Sequence, residues 1–316
     1  MPERLLRQYD IGESFTLFCI VRKRELRTSR TGSSYLILEV GDRSGRLSGN
    51  IWSDAENLYF NYPEGTIAKI QGAIENYQGR KQIAFKKIRL ANEEDNINPS
   101  DFLPVSAVEP EKNFLMLRNM AVSVTNPFLN KLLLGFFDDP VMADKMRRAP
   151  GGKLWHHDRI GGLIEHTLGI CRVCKLLIRL YPNINRDLLI AGAILHDIGK
   201  VEEFTYDLFI DYSDRGRLVG HITIGAQMVI QHAALIENFP PDLLDKLTHL
   251  VLSHQAEFGS PVKPSTREAF LLHYADQIDS KMDALNSIAR ELPDGEKWTY
   301  VKLLEQWINL EVDNPE

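Results

Sequence analysis

Cysteine is scarce in this chain, histidine is missing from its first 155 residues, and no apolar run is long enough to cross a bilayer. Three cysteines, Cys19, Cys171 and Cys174, in 316 residues are too few and too unevenly placed for a disulfide framework, which points to a reducing, cytoplasmic compartment. Cys171 and Cys174 do form a C-x-x-C, but they lie in an apolar helical run, residues 167–180, where such a pair is ordinary helix packing. No second cysteine pair exists to complete a zinc site. The longest apolar run, residues 188–195, falls far short of the roughly 20 residues a spanning helix needs. Residues 1–10 carry Glu3, Arg4, Arg7 and Asp10 and no apolar core of a secretory leader, so neither export nor membrane insertion is expected. Internal repeats and low-complexity tracts are likewise missing.

Charge and histidine divide the chain. Residues 1–92 hold 15 Lys+Arg against 10 Asp+Glu; of the totals of 37 and 43, that leaves 22 against 33 for the rest. All nine histidines lie between His156 and His273. A mildly basic front module suited to a polyanion is therefore followed by an acidic, histidine-rich module suited to cations.

The front module reads as five strands, at residues 15–21, 35–40, 47–52, 66–74 and 82–90. Leu36, Leu38 and Val40 alternate with Tyr35, Ile37 and Glu39. Turn residues fill 41–45 and 76–80. In the last strand the apolar parity changes between Ile83/Phe85 and Ile88/Leu90, as a bulge would produce. Five strands with a polar excursion at 53–65 predict an OB-fold β-barrel over residues 1–92. An acidic, proline-bounded linker follows at 93–110. Beyond it the pattern predicts an all-α domain over 111–316 with its core at 150–290, giving a multidomain α and β protein. Asn126-Pro127 and Asp139-Pro140 each place a capping side chain before a proline at a first helical position.

His166, the adjacent pair His196-Asp197, and Asp276 are the residue types that ligate a divalent transition metal, and groups on separate helices can converge inside a bundle. His196-Asp197 ends an apolar helical stretch, where a buried charged pair needs a partner.

Glu165-His166-Thr167, Leu195-His196-Asp197-Ile198-Gly199-Lys200, Gly220-His221, Ser253-His254 and Tyr274-Ala275-Asp276 resemble the ordered pattern of the HD-domain phosphohydrolases. With Ala149-Pro150, His156-His157, Gly161-Gly162-Leu163 and Gly259-Ser260-Pro261, the whole chain resembles the bacterial 3′ to 5′ exoribonucleases of the YhaM type, which join an OB-fold to an HD domain. The resemblance implies a metal-dependent phosphodiesterase hydrolysing single-stranded RNA, or single-stranded DNA, to nucleoside monophosphates, and an assembly of several subunits. It implies His166, His196, Asp197 and Asp276 as core metal ligands, with His221 and His254 at positions that bind a second ion or the phosphate. Asp197, Lys200 and His221 become the catalytic candidates, Lys200 as the cation facing the scissile phosphate. Manganese leads the candidate ions, with iron, cobalt, magnesium and zinc behind it. Two positions depart from the pattern. Gln255 stands where many YhaM-type chains carry a second histidine, and Gly162 where bimetallic cyclic-dinucleotide phosphodiesterases place a carboxylate. These leave one ion or two open and count against cyclic-dinucleotide hydrolysis.

For nucleic acid the candidates are the basic cluster Arg22, Lys23, Arg24, Arg27 and Arg30, the hairpin residues Tyr77 and Arg80, and His156 and His157 on the substrate side. His232, His249 and His273 read as ordinary core or surface histidines, and a surface ion pair accounts for Asp279 and Lys281 as well as catalysis does. Two rival functions remain: an HD phosphohydrolase for small or cyclic nucleotides with a regulatory OB domain, and a non-catalytic nucleic-acid-binding protein with a structural metal.

Overall fold

The computed structural model describes residues 4–29, 31–97, 102, 106, 109–153, 157–206, 210–292, 295–302 and 304–311. The chain divides near residue 104 into two compact units.

The first unit is one antiparallel sheet of five strands: β1 (Ser14–Thr28), β2 (Ser34–Asp42), β3 (Gly45–Ile51), β4 (Ile67–Tyr77) and β5 (Arg80–Leu90), in spatial order β3-β2-β1-β4-β5. The polar excursion between β3 and β4 forms a short helix, α1 (Ala55–Asn61). β1 is long because it serves two partners. Ser14 to Ile20 pair with β4, and Ile20 to Thr28 pair with β2. The alternation read from the sequence is the core: Leu36, Leu38 and Val40 are buried with Leu17, Cys19, Ile70, Ile74 and Ile83. The parity change in β5 is a bulge, since Gln71 pairs with Lys87 and Gly72 with Phe85, leaving Lys86 over. A second bulge, which no parity change announced, lies between Val21 and Lys23 in β1.

The five-stranded OB-fold is borne out, as a curled sheet whose ladder is not closed. β3 and β5 are its two ends and share no hydrogen-bonded ladder among the described residues. They nonetheless approach closely: a Cβ on Gly49 would collide with the Ile83 carbonyl oxygen.

The second unit is built of helices α2 (Pro110–Val122), α3 (Pro127–Asp138), α4 (Pro140–Arg148), α5 (Gly162–Leu180), α6 (Arg186–Leu195) and the single turn α7 (Lys200–Glu203). After these come α8 (Asp214–Val219), α9 (His221–Ala234), α10 (Pro241–Ser253) and α11 (Arg267–Glu291). The predicted caps form as expected. Asn126 Oδ1 accepts from the Phe128 and Leu129 amides at 3.1 Å, and Asp139 Oδ1 from Val141 at 2.8 Å and Met142 at 3.0 Å. α6 is buried from Asp187 to Leu195 and forms the centre of the bundle. Cys171 and Cys174 are unpaired and buried on α5. Burial pushes the Cys171 thiol well above its ordinary value and Cys174 up to about 12, so both behave as packing groups.

The all-α expectation holds for the bundle and fails at two short hairpins, β6 (Phe204–Thr205) with β7 (Asp211–Tyr212), and β8 (Trp298–Val301) with β9 (Gln306–Asn309). Strands of two to four residues are too short for an alternation to show. No helix among the described residues is long and apolar enough to cross a membrane.

Candidate metal centre

Five helical segments deliver polar side chains to one buried point in the second unit. His166 comes from the second turn of α5, and His196-Asp197 from the turn that ends α6. His221 opens α9, His254 follows α10, and Asp276 lies on α11. His166, His196, Asp197, His254 and Asp276 are all buried. Asp197 is the hub. Its Oδ2 lies 3.5 Å from His166 Nε2 and 3.4 Å from His196 Nε2, while its Oδ1 lies 3.4 Å from both His221 Nε2 and His254 Nε2. Asp276 Oδ1 adds a contact of 3.2 Å to His166 Nε2. Two donor trios thus share one carboxylate: His166, His196 and Asp197 on one side, Asp197, His221 and His254 on the other.

The outer nitrogen of each ring decides what the inner one can do. His196 Nδ1 donates to the Ala193 carbonyl at 2.9 Å and His254 Nδ1 to the Val251 carbonyl at 2.8 Å. His166 Nδ1 donates to Asp279 and His221 Nδ1 to Glu203, each at 2.8 Å. With Nδ1 engaged as donor, a neutral ring turns the Nε2 lone pair inward, the arrangement of a metal-ligating imidazole. Asp197 Oδ1 and His254 Nε2 are buried with no hydrogen-bond partner. Such orphaned acceptors are costly unless something electrophilic sits between them, so the donor set fits a cation.

The charges say the same. Burial opposes charge on Asp197, yet Lys200 and the surrounding histidines hold its carboxyl well below the usual range. Burial likewise opposes charge on His166, but Asp197, Asp276 and Asp279 raise its ring well above 6.5.

Sequence profiles of known families agree with this division. The HD domain profile matches residues 163–281, and the profile of an OB-fold nucleic acid binding domain matches residues 19–91. The chain is 32% identical over 306 residues to the 3′-5′ exoribonuclease YhaM of Listeria innocua serovar 6a, covering 94% of each chain. It is 31% identical over 301 residues to that of Bacillus subtilis strain 168, again covering 94% of each. The chain belongs to the YhaM family of 3′-5′ exoribonucleases. A further YhaM relative, from Geobacillus sp. strain WCH70, is 32% identical over 309 residues, covering 94% of this chain and 91% of its own length.

As a YhaM-family chain, this one brings together all six residues read as metal ligands. Lys200 lies inside the centre itself. Its ammonium is buried, 2.7 Å from Asp197 Oδ2 and 2.5 Å from the Gly151 carbonyl oxygen. His157 is buried too; its Nε2 lies 2.8 Å from Asp279 Oδ2 and its Nδ1 3.1 Å from Arg159 Nη2, so the ring supports the site from behind. His156 and Arg30 lie outside the described residues.

In the first unit the basic cluster is partly consumed. Arg22 is the bulged residue of β1, and its Nη2 donates to the Phe102 carbonyl at 3.1 Å. Burial brings its pKa down to about 10, an unfavourable setting for a charge meant for solvent. Arg24 lies over the Tyr59 ring at 4.4 Å and donates to the Tyr59 carbonyl. Arg27 is paired with Glu25 at 2.8 Å. Lys23 remains exposed. Tyr77, 54% exposed, stands opposite Arg80 where β4 turns into β5, as expected of a hairpin tip.

Two residues outside the expected ligand set, Asp279 and Glu203, hold the rings of the centre in place. Asp279 Oδ2 accepts from both His166 and His157, and Glu203 accepts from the ring and the backbone amide of His221. A signal for Asp279 was present: Asp276, Asp279 and Asp283 recur at three and four residues on one helix. Glu203 had none beyond following the His196-Asp197 turn by six residues.

Gly162 also has a physical reason. A Cβ there would collide with the His157 carbonyl oxygen, so the carboxylate of cyclic-dinucleotide enzymes has no room at this position. Gln255 Nε2 lies 3.2 Å from His221 Nε2, beside the second trio.

Proposed function

We propose that this chain is a metal-dependent 3′ to 5′ exoribonuclease, removing nucleoside monophosphates from single-stranded RNA held by its first unit. The observation that carries the reading is Asp197, whose two oxygens each face two inward-turned imidazoles. That donor set would hold one divalent ion through His166, His196, Asp197 and Asp276, and a second through Asp197, His221 and His254. Manganese suits these mixed nitrogen and oxygen donors. When bound, such ions polarise a phosphoryl oxygen and lower the pKa of water. The chain's own residues do the rest: Asp279 and Glu203 fix the rings of His166 and His221, while Lys200 restrains Asp197 and neutralises part of its charge. The 3′ to 5′ direction and the RNA substrate come from the YhaM relatives and the OB-fold match. Three unpaired, buried cysteines support a reducing, cytoplasmic setting.

RNA labelled at its 5′ end and given Mn²⁺ should shorten through a descending ladder of labelled fragments, releasing mononucleotides. A chelator and Asp197→Asn should each stop it. Intact RNA alongside hydrolysed small or cyclic nucleotides would falsify the substrate assignment, RNA bound but never consumed would remove the enzyme reading, and immediate release of the 5′ label would reverse the direction.

A further inference from the structure

The basic residues most available on the first unit are not those that cluster in the sequence. On the outward face of β1, β4 and β5, a groove of about 390 Å³ is lined by Thr16, Lys69, Gln71, Lys87, Ile88 and Arg89. The strand register builds it as two rows. Phe18, Lys69 and Arg89 face one another across the three strands in one row, and Thr16, Gln71 and Lys87 in the next. Lys69 Nζ stands 5.0 Å from the centre of the Phe18 ring, and the Arg89 guanidinium 5.8 Å from it. Arg89 is held by Asp95 at 2.7 Å, but Lys69 and Lys87 form no ion pair among the described residues. The β5 bulge at Lys86 sets the phase of this strand, so that Lys87 and Arg89 share the outward face while Ile88 packs against the core.

We propose that this groove is a binding site for the phosphate backbone of single-stranded RNA, with Lys69 and Lys87 each taking a phosphate and Gln71 and Thr16 supplying hydrogen bonds. Ammonium groups beside an aromatic ring, amide and hydroxyl match the phosphate, base and ribose of a nucleotide chain. The site lies apart from the Arg22 to Arg30 segment, whose described arginines are engaged within the protein. It rests on the exoribonuclease reading for its ligand.

The test is binding of a 5′-fluorescent uridine oligomer to the full chain with chelator present, followed by anisotropy across a salt series. In K69Q/K87Q the dissociation constant should rise on the order of tenfold at 0.1 M salt, and the slope of log K against log salt should flatten by about 1.4. K69R/K87R should keep the wild-type slope. Hydrolysis of a chromogenic phosphodiester with Mn²⁺ should be unchanged in both, because neither lysine belongs to the metal centre. If the wild type binds and shortens RNA while K69Q/K87Q keeps its affinity and slope, the groove is overturned and the exoribonuclease stands. A change in sedimenting mass with no change in slope would make the groove a contact between protein subunits and also overturn the proposal. A wild type that neither binds nor shortens RNA would instead remove the underlying reading.

Discussion

Asp279 shows how much a single carboxylate can carry without touching the reacting centre. Its Oδ2 lies between two imidazoles, and the first of them, His166, must keep its Nδ1 proton for its Nε2 to face inward. The carboxyl is held well below the ordinary range: burial opposes its charge, but the His157 and His166 hydrogen bonds outweigh that. It fits only because α5 has glycine at position 169, where a Cβ would overlap Asp279 Oδ1. An amide oxygen in the same place would still accept from both rings, but without the carboxylate charge that makes the His166 imidazole a stronger metal ligand. Asp279→Asn should therefore weaken Mn²⁺ binding about 10–100-fold, measured by competition with a chelating dye, while far-ultraviolet circular dichroism stays at wild type. Unchanged affinity would leave Asp279 with only a packing role.

At the scale of elements, the bundle is tied by buried carboxylates at helix starts. Asp187 in the first turn of α6 accepts from the Thr125 amide and hydroxyl and from the Asn126 amide, at 2.7–2.8 Å, just before α3 begins. Burial opposes its charge, yet the Thr125 and Asn126 donors keep its pKa below the ordinary 3.8. A carboxylate with a depressed folded pKa stabilises above its unfolded value and loses that contribution as pH falls through the folded value. Asp187→Asn should cost about 1–3 kcal/mol at neutral pH. The gap in thermal midpoint between variant and wild type should stay constant from pH 7 to about 5 and narrow below pH 3.8. A gap independent of pH would mean that shape, not charge, makes the tie. The strands show a different limit at this scale. The Lys86 bulge changes which residues face the core and is visible as parity, whereas the bulge at Arg22 falls where β1 changes partner from β4 to β2, and no local pattern records a change of partner.

At the scale of the molecule, the acidic module makes sense as a cation holder and the number of ions is its sharpest consequence. Wild-type protein loaded with Mn²⁺ and freed of excess should carry two ions per chain by elemental analysis. His254→Ala, which removes one donor of the second trio, should retain about one, since a lost ligand leaves that side with only Asp197 and His221. One ion in the wild type would assign His221 and His254 to the phosphate.

Much of this was determined by the sequence alone. The five strands, the helix caps at Asn126 and Asp139, the packing role of Cys171 and Cys174, and the cluster of candidate ligands from His166 to Asp276 are legible because each rests on local periodicity, a capping pair or an ordered motif. The tertiary structure decided what depends on residues far apart in the chain. It set half-buried Asp279 and buried His157 beside the His166 ring and drew Lys200 onto Asp197 and the Gly151 carbonyl. It also withdrew Arg22 into the protein and gathered Lys69 and Lys87 from separate strands into one groove. A side chain's charge and type are written at its own position, but its partner is chosen by the packing of distant segments, and burial then decides whether that charge meets solvent, an ion or another residue.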